Sequence, residues 1–193
     1  MFTGIVRSIG TVLEAGPGGL AIESVETAKR LRIGASVAVN GCCLTVVKKT
    51  GTRFSMDVVP ETLRRTALGA LTPGARVNLE LPLAANGLLD GHLVQGHIDA
   101  TATVVRVVAA VAGREVTFEL PADLREFIVE KGSVAVDGVS LTIAAVDDRE
   151  GSFTVALIPH TLAVTIAGEY KEGTLVNLEA DIVARYIARN LRR

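Results

Sequence analysis

The chain repeats itself, and this restricts its fold more than any other feature. Ser36-Val-Ala-Val-Asn-Gly-Cys-Cys-Leu-Thr45 matches Ser133-Val-Ala-Val-Asp-Gly-Val-Ser-Leu-Thr142 at seven of ten positions. Pro60-Glu-Thr-Leu63 answers Pro159-His-Thr-Leu162, and Gly74-Ala-Arg-Val-Asn-Leu-Glu80 answers Gly173-Thr-Leu-Val-Asn-Leu-Glu179. Gly4 and Gly10-Thr-Val12 align with Gly96 and Ala102-Thr-Val104, so the offset drifts from 92 through 97 to 99, as short loop insertions require. Two copies of one domain follow, joined near Ala84 to His92. The expected units are residues 1–91 and 92–180, with a separate tail over 181–193.

Each copy reads as β. Val37-Ala-Val39 and Val134-Ala-Val136 run into Asn40-Gly41 and Asp137-Gly138, the strongest short hairpin signal. Several short strands with glycine punctuation predict an all-β chain with a small closed barrel per repeat. Proline at a first helical position predicts brief helical turns at Pro60 to Leu68, Pro121 to Lys131 and Pro159 to Thr165. The tail breaks the repeat: Ile182, Val183, Tyr186, Ile187 and Leu191 make one helical stripe, with arginines opposite and in the last turn. That stripe either packs back on its own barrel or lies against copies of itself in an oligomer.

Composition removes several classes of function. Lys and Arg number 20 against 21 Asp and Glu, a net charge of -1, so there is no electrostatic footprint for a nucleic acid. The N-terminus lacks the basic and apolar regions of a secretory signal, and the longest apolar run, Val107 to Ala112, is far too short to span a bilayer. Cys42 and Cys43 are adjacent with no other cysteine to pair with, so a disulfide framework is out and a cytoplasmic protein is expected. Gly16-Pro-Gly-Gly-Leu-Ala21 imitates a dinucleotide-binding loop, but no acid occurs between Glu26 and Asp57 to hold a ribose, and a hairpin explains it better.

Strand parity places Cys43 and Thr45 on one face, with Cys42 and Leu44 on the other; Ser140 and Thr142 match, opposite Val139 and Leu141. Each repeat therefore presents a pair of small polar groups on one side of a strand. These serve either as ordinary buried or locally bonded side chains, or as two related pockets of differing chemistry. His92 and His97 are five apart, off any common face, and no metal-ligand spacing occurs. His97 is either an ordinary satisfied histidine or a general acid or base.

Met1-Phe-Thr-Gly-Ile-Val6, Asn40-Gly-Cys-Cys-Leu-Thr45, Gly91-His-Leu-Val-Gln-Gly-His97, Asp137-Gly-Val-Ser-Leu-Thr142 and Leu157-Ile-Pro-His-Thr-Leu162 together resemble the riboflavin synthase family of the alpha-chain type. The resemblance runs from Met1 to Asn190. It implies two tandem six-stranded Greek-key barrels plus a C-terminal α-helix, a homotrimer assembled through that helix, and no cofactor or metal. The implied reaction is the last step of riboflavin biosynthesis, a dismutation of two 6,7-dimethyl-8-ribityllumazine molecules into riboflavin and 5-amino-6-(D-ribitylamino)uracil. Carried over residue by residue, one lumazine would be held by Gly4, Ile5, Val6, Cys43, Leu44, Thr45, Asp57, Val58, Val59, Pro60, Glu61 and Thr62, with Phe2 close by. The other would be held by Gly96, His97, Ile98, Lys131, Ser140, Leu141, Thr142, Ile158, Pro159, His160, Thr161, Leu162 and Ala163. Ser36 and Asp137 would support them, and Cys43, His97, Ser140, Thr142 and Asp181 would carry the chemistry. A non-catalytic lumazine- or flavin-binding protein of the same fold is the main rival; a flavin reductase would need a nicotinamide domain that this chain has no residues for.

Overall fold

Both repeats turn where their residue types require. Asn40 and Gly41 lie at φ 43 and 78, and Asp137 and Gly138 at 45 and 76, the consecutive left-handed pair of a tight hairpin. The computed structural model describes residues 1–191. Its first six strands are β1 (Ser8–Gly16), β2 (Gly19–Glu23), β3 (Ser36–Val39), β4 (Cys42–Thr50), β5 (Arg53–Met56) and β6 (Arg76–Glu80), closing in the order β1-β2-β5-β4-β3-β6. Then come β7 (Ala100–Ala110), β8 (Gly113–Glu119), β9 (Ser133–Val136), β10 (Val139–Asp147), β11 (Ser152–Leu157) and β12 (Leu175–Ala180). They close in the same order displaced by six, so each repeat is an antiparallel Greek-key barrel.

Alternation fills each barrel. In β4, Cys42, Leu44 and Val46 point inward beside Phe54 and Met56; in β10, Val139, Leu141 and Ile143 do so beside Phe118 and Phe153. The last two rings stack at 5.3 Å, with Tyr170 edge-on to Phe118 at 6.1 Å. Each such aliphatic side chain contributes about 1.5–3 kcal/mol by leaving water. With no tryptophan and few rings in the chain, branched aliphatics carry most of the core.

Short helices interrupt the strands. α1 (Val25–Arg30) was not foreseen; Ser24 caps it by accepting from the Thr27 N–H. α2 (Pro60–Arg65) and α3 (Pro159–Val164) start on proline as expected, each followed by a 3-10 turn. The predicted helical segment Pro121 to Lys131 is a correction: only Ala122–Leu124 is helical, and as 3-10. Too few residues follow Pro121 before Leu124 and Ile128 must dive into the barrel. The glycine-rich Gly16–Gly19 stretch is a hairpin, with Gly16 opposite Gly19 and Gly18 at φ 95. α4 (Ile182–Leu191) closes the described chain, with Asp181 accepting from the Val183 N–H at its start; Arg192 and Arg193, the end of the expected helical tail, lie outside the described residues.

The barrels meet about an approximate two-fold axis. Asn78 Nδ2 donates to the Asp137 carbonyl at 3.0 Å, and Asn177 Nδ2 to the Asn40 carbonyl at 2.8 Å. In return Asn177 accepts from the Ala67 N–H and Asn78 from the Ile166 N–H. The hairpin tips touch: a Cβ on Gly41 would stand 2.7 Å from the Gly138 nitrogen, and one on Gly138 2.7 Å from the Gly41 nitrogen.

Candidate functional site

The outer faces of β3–β4 and of β9–β10 carry the small polar side chains. Ser36 pairs with Thr45 and Ala38 with Cys43; Ser133 pairs with Thr142 and Ala135 with Ser140. Cys43 and Ser140 are half-buried, Thr45 and Thr142 exposed, while Leu44 and Leu141 point into the cores. Phe2 and Val94 pair as an isolated antiparallel bridge and pack with Ala38, Ala135 and Cys43 at the centre of the molecule. Phe2, expected close to a ligand, has no exposed surface and packs against Cys43.

The segments leading into the two barrels are crossed. The Ser140 N–H donates to the Gly4 carbonyl at 2.8 Å, and the Cys43 N–H to the Gly96 carbonyl at 2.9 Å. Val6 joins the core of the second barrel, and Ile98 packs on that of the first. The expected grouping is thus corrected within this chain. Gly4, Ile5 and Val6 wall the Ser140–Thr142 face, and Gly96, His97 and Ile98 wall the Cys43–Thr45 face. The reason is steric: Gly4 and Gly96 sit at φ 74 and 84, and a Cβ there would stand 2.6 Å from the Ser140 Cβ and 2.5 Å from that of Cys43. Backbone approaches strand this closely only through glycine.

The first face continues through Asp57, Val59, Pro60 and Glu61, all exposed, and half-buried Thr62; Val58 is a core residue instead. Arg64, by hydrogen bonding, and then Arg65 hold the exposed Glu61 carboxyl below its usual range. The second face continues through Ile158, Pro159, His160 and Ala163, exposed, with Thr161 and Leu162 half-buried. Lys131, exposed, stands at φ 66, where the first repeat has Gly34 at φ 83. A lysine in the left-handed region costs about 1–2 kcal/mol over glycine, so its side chain earns its place by some other means. Both faces are open shelves; a deeper cleft lies under the N-terminal segment, where Ile5 lines it together with Arg7, Arg30 and Leu83.

Electrostatics separates the candidates. Burial pushes the Cys42 thiol up to about 12, which leaves Cys43, on the outer face, as the available sulfur. Asp137 was expected to support the ligand. It is buried instead at the barrel junction, accepting from the Asn177 N–H and the Tyr170 hydroxyl at 2.7 Å, and burial drives its carboxyl to about 7. Asp181 lies near enough to favour the charged form of His92.

His92 is the group that sequence reasoning passed over. Its Nδ1 stands 2.7 Å from Ser140 Oγ, and its Nε2 is buried without a partner among the described residues. Burial disfavours the charged ring and lowers its pKa. The signals available in sequence were its place in the Gly91-His-Leu-Val-Gln-Gly-His97 motif and in the link between repeats, where it has no counterpart in the first copy. Among the described residues no cluster of His, Cys, Asp and Glu would hold a metal, and no helix is long and apolar enough to cross a membrane.

Two homologous barrels, each with a polar shelf walled by the other's lead-in segment, define a tandem small-molecule-binding protein of the lumazine-binding domain type, whose pattern matches residues 3–82 and 95–181. The chain belongs to the riboflavin synthase family. It is 41% identical to the riboflavin synthase of Actinobacillus pleuropneumoniae over 97% of this chain and 88% of that one. It is 43% identical to that of Mycobacterium bovis over 100% and 98%. The crystal structure of LumP complexed with riboflavin superposes with a TM-score of 0.86 at 26% identity, covering 93% of this chain and 99% of the other; LumP complexed with 6,7-dimethyl-8-(1'-D-ribityl) lumazine gives 0.83 at 25%.

Proposed function

We propose that the chain converts two 6,7-dimethyl-8-ribityllumazine molecules into riboflavin and 5-amino-6-(D-ribitylamino)uracil, one bound on each shelf. The observation that carries this reading is the pairing of two related but chemically unequal pockets, Cys43 beside the Gly96–His97 segment and Ser140 beside the Gly4 segment and His92. A dismutation asks for that arrangement: identical substrates, opposite roles. A four-carbon unit leaves one molecule and joins the other, so atoms and electrons balance without an outside oxidant.

One lumazine must lose a proton from its carbon-7 methyl, which His97 or a water it orders accepts. The other must become electrophilic by addition of a nucleophile to its ring. The Ser140 hydroxyl, bonded to neutral His92, is equipped for this: its oxygen forms the new bond, its proton passes to Nδ1, and the ring takes the electron pair. Cys43 offers the comparable group in the first pocket. Holding both rings face to face supplies up to roughly 7–11 kcal/mol of the barrier, more than any single side chain.

The open shelves and the stripe of α4 support a further element of the reading. Val183, Tyr186 and Ile187 are exposed on a helix too short to be stable alone. We infer a homotrimer through this helix, with the first barrel of one subunit closing over the second barrel of another, in a cytoplasmic enzyme. The test is incubation of chelator-dialysed protein with the lumazine alone, both products followed by chromatography. Riboflavin and the aminouracil in equal amounts are expected; tight lumazine binding without turnover would mean a binding protein.

A further inference from the structure

Two buried carboxylates take no part in the chemistry above, and both lie at the end of a barrel's last strand. Glu80 is the final residue of β6 and Glu179 the last but one of β12, at 8% and 4% exposure. A buried carboxylate is costly unless its lone pairs are met. Here backbone amides meet them. Glu80 accepts from the Thr3 N–H at 2.7 Å, the Thr3 hydroxyl at 2.7 Å and the Gly4 N–H at 3.0 Å. Glu179 accepts from the N–H groups of Gln95 at 2.5 Å, Gly96 at 2.8 Å and His97 at 2.9 Å.

The segments they grip are the ones that wall the pockets, and they wall the opposite barrels. Through Gly4, Glu80 of the first barrel is two hydrogen bonds from Ser140 of the second; through Gly96, Glu179 of the second barrel is two hydrogen bonds from Cys43 of the first. Each amide fan is complementary to a carboxylate and to little else: a Gln amide would turn its NH2 toward at least one N–H that needs an acceptor.

We propose that Glu80 and Glu179 are positioning residues with crossed responsibilities, Glu80 setting the Ser140 pocket and Glu179 the Cys43 pocket. This rests on the reading that both shelves bind the lumazine or its product. Each glutamate fixes a glycine carbonyl, and so the neighbouring wall, in the geometry a flat heterocycle needs. Leaving one buried amide unmet frees that wall and weakens only the pocket it serves.

The test uses thiol labelling of the full chain, titrated with riboflavin. Cys43 reports the first pocket, since the Cys42 thiol is buried; a Cys43→Ser, Ser140→Cys chain reports the second. Glu179→Gln is expected to raise the riboflavin concentration for half-protection at Cys43 by about ten- to a hundredfold and to leave the second reporter within about threefold. Glu80→Gln should do the reverse. Thr3→Val, which removes the hydroxyl bond to Glu80 together with the bond that the same oxygen accepts from the Ile5 N–H, should give a smaller shift confined to the second pocket, and it decides the Glu80 half of the assignment should Glu80→Gln fail to fold. Equal shifts in both pockets, or none, overturn the crossed assignment. If riboflavin protects neither reporter in the unaltered background, it is the two-pocket reading that fails.

Discussion

The first barrel is the plainer of the two, and the second carries substitutions that bring a buried carboxylate, a left-handed lysine and a histidine-bonded serine to equivalent positions. Where the first hairpin has Asn40, the second has buried Asp137, held by Tyr170 where the first repeat has Leu71. Gly34 becomes Lys131 in the same left-handed position. Cys43 becomes Ser140, and only Ser140 has an imidazole against it, because His92 comes from a link that occurs once. A duplicated fold thus separates two roles by a handful of side chains while strand order and junction stay common to both.

The sharpest way to break the comparison is at the glycines it shares. Gly96→Ala places a Cβ 2.5 Å from that of Cys43 and 3.0 Å from the Phe2 ring at a left-handed residue. We expect at least about 2 kcal/mol of lost stability and turnover reduced more than about a hundredfold, read from a denaturant melt and a product assay. Gly4→Ala should match it through Ser140; an active variant at either position would mean that the crossing is not needed.

A smaller effect, about tenfold in kcat with lumazine affinity nearly unchanged, is expected for Ser140→Ala and for His92→Asn. Because the two act through one hydrogen bond, the double variant should be no worse than Ser140→Ala alone. Cys43→Ser, which copies the second repeat's side chain into the first, should cost less than either. Fully additive losses in the double variant would separate His92 from Ser140.

Asp137 offers a test in stability. Its carboxyl is held at about 7 against an ordinary 3.8, chiefly by burial, so the folded chain binds this proton more tightly than the unfolded chain does. The stability so gained is complete below about pH 4 and is lost as the pH rises through about 7. Asp137→Asn, restoring the first repeat's residue type, should therefore raise Tm at pH 8 by about 3–8 °C and change it little at about pH 4. Smallest of all, Lys131→Gly should add about 0.5–1 kcal/mol by relieving the left-handed backbone while weakening ligand binding in the second pocket. A gain in stability with no loss of binding would make the lysine a bystander.

Much of this architecture is legible in the residues themselves. Asn40-Gly41 and Asp137-Gly138 specify hairpins, alternation puts Cys43 and Ser140 on outer faces, and the repeat gives the barrel count, all of which depend on neighbours a few positions away. What depends on contacts across the chain is not legible. Nothing local says that Gly4 lies on Ser140 rather than near Cys43, for the two are 136 positions apart and the choice is made by the docking of whole barrels. Glu80 and Glu179 read as ordinary strand-end acids; the one hint is that Val-Asn-Leu-Glu stands unchanged in both copies while residues on either side of it vary. Ser24, which caps α1, is followed by no proline such as marks α2 and α3.

The crossing of the lead-in segments also sets an order of events in synthesis. Gly4 to Val6 leave the ribosome well before the strand they rest on, for β10 is made some 130 residues later. The first barrel can close once β6 has emerged, but its pocket stays without a wall until Gly96 and Ile98 follow. Until β10 is in place, Val6 has no core to enter. Nascent chains halted between β6 and β10 would thus carry a folded barrel with an unplaced apolar leader, a species suited to chaperone capture or to pairing with a neighbour's unfinished half.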